Sequence, residues 1–292
     1  MVRADEIDIL VDLSGHSSGN RLRAFARRCA PVQATWIGYL HSTGLAAMDF
    51  LIADAVAVPL GWEERFSEFV VRLPNSFLCY GTPVDTPEIK PPPLSRGAAP
   101  TFGCFSNLAK ISGAVIDVWC KLLARHPEAQ LYLKSGALAD EEVCQKYERM
   151  FTERGIDAAR VRLHGPSSRA EYFDSFSEID MLLDTFPFSG GTTTCDALWM
   201  GVPVVTMPGD TMAGRTSASI LSTLDLDAYI ANDQDDYIER ALDGMRDIDE
   251  LARLRGELRQ RLADSPVGDA QRFTLDLEQA YRRMWEQKVT AG

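Results

Sequence analysis

The strand, loop, helix and strand pattern at residues 180–207 constrains the fold of this chain more than any other stretch. The segment reads DMLLDTFPFSGGTTTCDALWMGVPVVTM, with one apolar run at 181–183 that ends at Asp184 and a second at 202–205. A short crossover between two buried strands is right-handed and makes the strands parallel, and ligands of such sheets lie outside the carboxyl ends of the strands. The loop after Asp184 is therefore predicted to face a ligand.

The residues of this loop are suited to phosphate. Gly190 and Gly191 allow the backbone to approach a ligand closely. Thr192, Thr193 and Thr194 present hydroxyl and backbone N–H groups in the first turn of a helix, whose dipole favours an anion. The pattern matches neither Walker A nor GxGxxG, so neither a nucleoside triphosphatase nor a dinucleotide enzyme is the first interpretation. The alternative is that the threonines only cap the helix.

Composition narrows the classes of protein further. The 292 residues are enough for two domains, and 46% hydrophobic with 25% charged residues is ordinary for a soluble globular protein. A net charge of −12 opposes a general nucleic-acid or anionic-membrane surface. No segment approaches the roughly 18 apolar residues of a membrane span, and the acidic N-terminus does not resemble a signal peptide. Six scattered cysteines without a CxxC pair predict reduced thiols in a cytoplasmic protein.

The chain is predicted to contain a partial first domain at residues 1–81. Its first strand pattern, at 7–13, has no element before it that could complete a layer. A basic helical pattern that Pro31 ends follows, and further strand patterns lie at 32–39, 50–54 and 70–73. The proline-rich segment 82–100 excludes a helix or a central strand and predicts an interdomain linker.

Strand and helix patterns then alternate through residues 101–268, which predicts a complete doubly wound parallel sheet of the α/β class. The predicted strands are 102–106, 130–134, 161–164, 181–184, 202–207 and 229–231. Residues 269–292 are predicted to form a C-terminal helix that packs back on the first domain.

Lys110 is the second candidate ligand-binding residue. It follows a predicted strand in the segment FGCFSNLAKI, together with Asn107. At the carboxyl end of a strand in the same sheet as the threonine loop, Lys110 can reach a diphosphate and neutralise its charge. A lone lysine after a strand is most often a solvated surface residue, so the pairing with the threonine loop carries the prediction.

Three further features carry weaker signals. Arg169, in the segment PSSRAE, can bond phosphate or a base carbonyl, or simply face solvent at a helix N-terminus. Asp196 can accept two ribose hydroxyls, or act as a first-turn partner of the helix dipole. Asp225 and Asp227 form the DxD pattern of metal-dependent sugar transferases, but they precede a predicted strand, on the side away from the ligand. The four histidines are too dispersed for a metal site, so no metal is predicted.

The segments APVQATWIGY, NLAKI, GGTTTCDALWMGVPVVTMPGD and LEQAYRRMWEQ together resemble the catalytic region of the protein O-GlcNAc transferase family, the SPINDLY-like glycosyltransferases. The resemblance runs from about residue 5 to residue 285. It implies a B-type glycosyltransferase fold in which the C-terminal domain holds UDP, the N-terminal domain is Rossmann-like and the acceptor lies between them. The implied reaction is an inverting, metal-independent transfer of N-acetylglucosamine from UDP-GlcNAc to Ser or Thr hydroxyls of proteins.

The resemblance also assigns roles to residues of the second half. Lys110 matches a lysine that contacts the diphosphate, and Asn107 stands where a glutamine usually contacts the nucleotide. Thr192 and Thr193 match the threonines on the diphosphate, and Asp196 matches the ribose-binding aspartate.

Two further segments receive roles in the same way. Ser167 and Arg169 fall in the loop that contacts uracil and ribose, with Arg169 in place of a lysine. Ile37, Gly38 and Leu40 match the segment that faces the donor sugar, where the family commonly has proline at the last position.

This chain departs from the family at several positions. Gly191 and Tyr172 stand where the family has histidines. The segment with the proposed catalytic histidine, and the tetratricopeptide repeats that select protein substrates, are expected before Met1 and are absent from this chain. His16 is the nearby imidazole that could act as the base instead, and a hydrogen-bonded loop histidine is the alternative.

Two other functions stay open at this point. One is a UDP-sugar-binding pseudoenzyme without turnover, and the other is a UDP-sugar transferase with a small-molecule or lipid acceptor. An oxidoreductase is the weakest alternative because no strand is followed by GxGxxG.

Overall fold

The structure of the protein is a computed structural model that describes residues 2–290. Its β-strands are β1 (Ile9–Asp12), β2 (Val32–Thr35), β3 (Phe50–Ala53), β4 (Phe69–Arg72), β5 (Thr101–Cys104), β6 (Gln130–Lys134), β7 (Val161–His164), β8 (Met181–Leu183) and β9 (Val204–Val205). Its α-helices are α1 (Leu22–Phe25), α2 (Gly113–Arg125), α3 (Glu141–Thr152), α4 (Arg169–Asp174), α5 (Thr192–Trp199), α6 (Thr216–Thr223), α7 (Gln234–Asp243), α8 (Ile248–Asp264) and α9 (Ala270–Thr290).

The chain divides into two compact units. The first unit contains the residues up to Tyr80, residues 211–213 and the chain from Pro266 onward, and the second contains residues 81–210 and 214–265. The domain boundaries predicted from the sequence stay predictions.

The first unit is built on a parallel sheet with the strand order β1, β2, β3, β4. Its core joins Val32 and Phe50 of the sheet to Phe273 and Met284 of α9. The strands are short apolar runs because a parallel sheet is covered on its faces. The C-terminal helix therefore supplies part of the core that buries this sheet.

Two elements of the first unit are shorter than predicted, in each case where a non-glycine residue adopts a positive φ angle. The strand predicted at 32–39 ends at Thr35, because Ile37 has a φ of 57° and turns the chain out of the extended conformation. The basic helix before Pro31 ends at Phe25, ahead of Arg28 with a φ of 47°. In neither turn is the residue with the positive φ a glycine, so its conformation is not evident from the sequence.

The second unit has a five-stranded parallel sheet with the order β7, β6, β5, β8, β9, and the predicted doubly wound α/β fold is confirmed. Two of its helices begin at the capping residues that the sequence predicts. The Ser112 hydroxyl accepts a hydrogen bond from the N–H of Val115 at the start of α2, and Ser168 forms a capping box with Glu171 on α4. The fully buried indole of Trp119 attaches α2 to the core.

The last predicted strand, 229–231, is wrong. Residues Asp227–Tyr229 form a 3₁₀ turn, and only an isolated parallel bridge joins Thr206 to Ile230. The strand predicted at 202–207 is correspondingly limited to β9. An isolated bridge leaves too little pairing for a sixth strand, so the sheet stops at β9.

The proline-rich segment 82–100 forms hydrogen bonds with the rest of the second unit. The buried carboxylate of Asp180 accepts from the backbone N–H of Leu94 at 2.9 Å and of Thr101 at 2.8 Å, and Arg96 donates to the carbonyl of Ser177 at 2.8 Å. This segment is therefore held in place along the second unit, up to the start of β5.

The buried Arg255 provides a test of how this unit is held together. Its side chain, on α8, is 1% exposed and donates to the carbonyls of Ile179 at 2.9 Å and Asp180 at 3.4 Å. Arg255→Met removes the donors and leaves buried carbonyls unpaired, so we expect the free energy of unfolding in urea to fall by about 3 kcal/mol.

Arg253→Met on the same helix is the matched control. Arg253 is exposed and pairs only with Glu250 and Glu257 at the surface, so its loss should change stability little. Equal losses in the two variants would contradict the role assigned to Arg255.

Candidate functional site

The strand order of the second unit places the loops after β5 and β8 side by side. β5 is the first strand of this unit in the chain and lies between β6 and β8, so the chain direction across the sheet reverses at β5 and β8. A ligand crevice forms at such a switch point, outside the carboxyl ends of the strands. The loop after β5 contains Lys110, and the loop after β8 contains the glycines and threonines.

Asp184, at the end of β8, fixes the shape of the glycine loop. Its fully buried carboxylate accepts hydrogen bonds from the N–H groups of Gly190 at 2.7 Å and Thr185 at 2.9 Å, and from the hydroxyl of Thr206 at 2.6 Å. Burial raises the pKa of this carboxyl, and the hydrogen bonds oppose the rise. In the sequence, Asp184 is recognisable only as the end of a strand. The feature that could have identified it as a site residue is an acidic side chain directly after an apolar strand.

Gly190 fits the loop because no side chain could be accommodated there. An added Cβ would lie 2.5 Å from the Thr194 hydroxyl and 3.1 Å from the Asp184 carboxylate. The buried Thr194 hydroxyl is hydrogen-bonded to Ser217 at 2.7 Å, so this side chain supports the loop from inside.

The threonines do not cap α5. The N-cap residue is Gly191, which makes no side-chain cap hydrogen bond. Thr192 is exposed and Thr193 half-buried at the first turn. Backbone N–H groups without a side-chain cap, together with the helix dipole, suit an anion. The geometry thus favours the phosphate interpretation over the capping interpretation.

Lys110 contacts the glycine loop directly. It ends a 3₁₀ turn, Leu108–Lys110, that Asn107 caps by accepting from the N–H of Ala109 at 2.9 Å. Its Nζ donates to the carbonyl of Ser189 at 2.8 Å and lies 4.2 Å from the centre of the Phe188 ring. Burial lowers the pKa of Lys110, while the nearby Asp184 raises it. The predicted pairing of lysine and loop is therefore present in the fold.

A cavity of about 590 Å³ lies at the ends of β5, β6 and β7, and neither Lys110 nor the glycine loop lines it. Of the predicted residues it is lined by Asn107, Ser167 and Arg169. Its other lining residues are Phe105, Lys134, Ser135, Gly136, Ala137, Gly165, Pro166 and Tyr172. A volume of this size accommodates a small organic ligand such as a nucleoside.

Lys134 is a cavity residue that the sequence analysis missed. It ends β6, is 7% exposed, and its Nζ lies 3.4 Å from the carbonyl of Gly165. Burial lowers its pKa. A lysine at the carboxyl end of a buried strand is the signal that could have identified it.

Tyr172 lines the cavity and also forms a hydrogen bond with a residue of α5. Its hydroxyl donates to the carboxylate of Asp196 at 2.9 Å, and burial raises the tyrosine pKa. Asp196 is 9% exposed and lies one turn into α5, beyond the first turn, so it is not the first-turn partner of the helix dipole, and the hydrogen bond from Tyr172 orients its carboxylate. Exposed Arg169 lies with its guanidinium carbon 5.3 Å from the Phe173 ring centre.

The remaining predicted residues belong to the first unit. Gly38 lies so close to Leu13 that an added Cβ would be 1.7 Å from its carbonyl oxygen. Ile37 is exposed with a left-handed backbone, and Leu40 is half-buried. The exposed His16 is hydrogen-bonded through Nε2 to the carbonyl of Thr43 at 2.8 Å, which makes Nε2 the protonated nitrogen and leaves Nδ1 with the lone pair.

Within residues 2–290, no group of three or more His, Cys, Asp or Glu side chains is arranged to hold a metal ion. None of the described helices is both long enough and apolar enough to cross a membrane.

The two parallel sheets, together with their match to known glycosyltransferase structures, place the protein in the class of B-type glycosyltransferases. Sucrose-phosphate synthase of Thermosynechococcus elongatus shares this fold, with a TM-score of 0.57 at 14% identity over 91% of this chain and 77% of that one. An O-GlcNAc transferase mutant of Thermobaculum terrenum matches with a TM-score of 0.93 and 42% identity, over 100% of this chain and 55% of that one.

The chain belongs to glycosyl transferase family 41, whose sequence pattern matches residues 1–82 and 96–277. It is 40% identical to the probable UDP-N-acetylglucosamine–peptide N-acetylglucosaminyltransferase SPINDLY of Solanum lycopersicum, over 98% of this chain and 31% of the relative. The chain thus spans about a third of the length of the curated relatives that it matches.

Gly190→Ala tests the shape of the loop. The added methyl group would collide with the Thr194 hydroxyl, so we expect the free energy of unfolding in urea to fall by about 1–3 kcal/mol. Gly256→Ala is the control, because its added Cβ meets no atom within 4 Å on α8. A Gly190→Ala variant as stable as the control would show that the loop is not as tightly packed as described.

Proposed function

We propose that this chain transfers N-acetylglucosamine from UDP-GlcNAc to Ser or Thr hydroxyls of proteins, with inversion at the anomeric carbon and without a metal ion. The observation that carries the proposal is the contact of the Lys110 ammonium with the loop that leads into the uncapped N-terminus of α5. The names of the relatives in tomato and Thermobaculum terrenum support the choice of sugar and acceptor.

The proposed chemistry depends on charge stabilisation at the leaving group. When the acceptor oxygen attacks the anomeric carbon, the bond to the diphosphate breaks and negative charge builds on the departing UDP. Lys110, the hydroxyls of Thr192 and Thr193 and the backbone N–H groups at Gly191 and the start of α5 are preorganised donors for this charge. One such donor is typically worth about 3 kcal/mol of transition-state stabilisation. These donors would take the place of a divalent cation.

The nucleoside would occupy the 590 Å³ cavity at the ends of β5, β6 and β7. Asp196 would accept the ribose hydroxyls, while Tyr172 holds one of its carboxylate oxygens at 2.9 Å. Ser167, Arg169 and Asn107 line the cavity and would contact the base and ribose. Lys134 adds a buried donor at its wall, suited to a base carbonyl.

The acceptor side of the proposal rests on the first unit. Ile37, Gly38 and Leu40 would face the donor sugar, as the resemblance to the family implies. His16 is the proposed base, since the hydrogen bond at Nε2 leaves Nδ1 able to accept a proton. The proposed compartment is the cytoplasm, which agrees with six free cysteines, none of which forms a disulfide within residues 2–290.

Lys110→Ala is the first test. The change removes the proposed ammonium donor, so we expect transfer to fall by at least about 100-fold and UDP to bind measurably more weakly in calorimetry. Lys146→Ala, an exposed lysine on α3, is the matched control and should change neither. An unchanged UDP affinity in Lys110→Ala would count decisively against this site.

Asp196→Ala separates ribose binding from diphosphate binding. It should lower the affinity for UDP by about tenfold, the loss expected for a charge-assisted hydrogen bond, and leave the affinity for inorganic pyrophosphate unchanged. Isothermal titration with both ligands measures the two effects. An equal loss for pyrophosphate would mean that Asp196 does not act on the ribose.

Radiolabelled donor sugars incubated with a cell lysate test the reaction itself. Label on protein, dependent on Lys110 and specific for UDP-GlcNAc over other uridine and guanosine donors, is the expected result. Label in the lipid or small-solute fraction would instead identify another acceptor. UDP binding with no transfer to any fraction would identify a nucleotide-sugar-binding protein without turnover.

A further inference from the structure

The first unit contains a second concave site, which is lined by arginines. Its volume is about 990 Å³, and its charged and polar lining consists of Arg3, Asn20, Arg21, Arg23, Arg27 and Cys29. All four arginines are exposed. We call this site the arginine cavity.

The arginine cavity lacks neutralising partners in a strongly acidic chain. Among residues 2–290, no carboxylate forms an ion pair with any of its four guanidinium groups. The next arginine, Arg28, shows the contrast, since it pairs with Asp49 at 2.9 Å. A concave surface lined by charges of one sign concentrates the electrostatic field and attracts the opposite charge.

Two of the four guanidinium groups are held in position. Arg3 donates through Nη2 to the carbonyls of Arg27 at 2.9 Å and Arg28 at 3.1 Å. Arg21 donates through Nη1 to the carbonyls of Gly19 at 2.8 Å and Asn20 at 3.2 Å. A guanidinium has five N–H donors, so each keeps donors for a ligand. Because their positions are already fixed, little side-chain entropy is lost on binding.

The size and charge of the arginine cavity select its ligand. The cavity exceeds the volume of a single carboxylate or phosphate group, so it accommodates several anionic groups at once. A long nucleic acid would extend beyond the cavity onto a chain whose net charge is −12, which repels it. A short peptide with neighbouring Asp and Glu residues fits the cavity without that repulsion.

We propose that the arginine cavity binds an acidic segment of a partner protein, whose carboxylates accept hydrogen bonds from Arg3, Arg21, Arg23 and Arg27. Paired N–H donors of arginine match the two oxygens of a carboxylate. This binding does not depend on the proposed transfer and is measurable without it.

The test uses the full chain and a fluorescein-labelled glutamate-rich peptide, with binding followed by fluorescence anisotropy. The R23E/R27E double variant should bind at least about tenfold more weakly than the unmodified chain, because two donors become repulsive charges. The neutral R23Q/R27Q variant should lie between the two. Raising the salt from about 50 mM to about 200 mM should weaken binding to the unmodified chain.

R282E/R283E is the matched control. It makes the same change in net charge at two exposed arginines of α9, and these side chains do not line the arginine cavity. This variant should bind the peptide nearly as well as the unmodified chain. The affinity for UDP should be the same in all variants, and unfolding curves verify that each variant is folded.

Three results would overturn the inference. They are equal peptide affinity in R23E/R27E and R282E/R283E, equal binding of an uncharged glycine–serine peptide, and tighter binding of a single-stranded oligonucleotide of the same charge. A chain that binds the acidic peptide through Arg23 and Arg27 but does not bind UDP would contradict the proposed function and leave the peptide site standing.

Discussion

The candidate donor site depends on the burial of one carboxylate, that of Asp184. A buried charge is costly unless hydrogen bonds satisfy it, and here the donors come from the loop itself and from the neighbouring Thr206. Satisfying this carboxylate therefore fixes the path of the loop. Once the path is fixed, Gly190 has no room for a side chain, α5 starts without a side-chain cap, and the carbonyl of Ser189 is available to Lys110. The arrangement of the groups proposed to bind the anion is thus a consequence of how the end of β8 is buried.

Positive electrostatic potential in this acidic chain is concentrated at particular places and is not spread over the whole surface. A net charge of −12 gives no general attraction for a diphosphate, so a site for one needs a concentrated positive potential. In the second unit this potential comes from backbone N–H groups, a helix dipole and the half-buried Lys110, whose pKa burial lowers and Asp184 raises. In the first unit it comes from four guanidinium groups around one cavity, none of which forms an ion pair among residues 2–290. The former suits a compact ligand with fixed geometry, and the latter suits a flexible one with several carboxylates.

Much of the candidate donor site was predictable because the alternation of strands and helices predicts a parallel sheet. Parallel strands with short crossovers place their following loops at one edge, which was enough to bring Lys110 together with the loop at 190–194. Burial was not predictable in the same way. In the sequence, Asp184 and Lys134 are recognisable only as the ends of predicted strands, and Tyr172 only as a position where the family has a histidine. The packing of other loops around them makes them part of the candidate site. Thr194 differs from its two neighbours for the same reason, since its partner Ser217 lies on α6, far along the chain.

The sequence by itself determined the class of the fold, the parallel direction of the strands in the second unit and the family, because these follow from local periodicity and from motifs whose order is written in the chain. It also determined which residue types could hold a phosphate. Only the tertiary structure decided which of those groups are open and which are already hydrogen-bonded, where β2 and α1 end, and that arginines distant in sequence line one cavity. These features depend on contacts between residues far apart in the chain, and the sequence pattern around a single residue does not reveal such contacts.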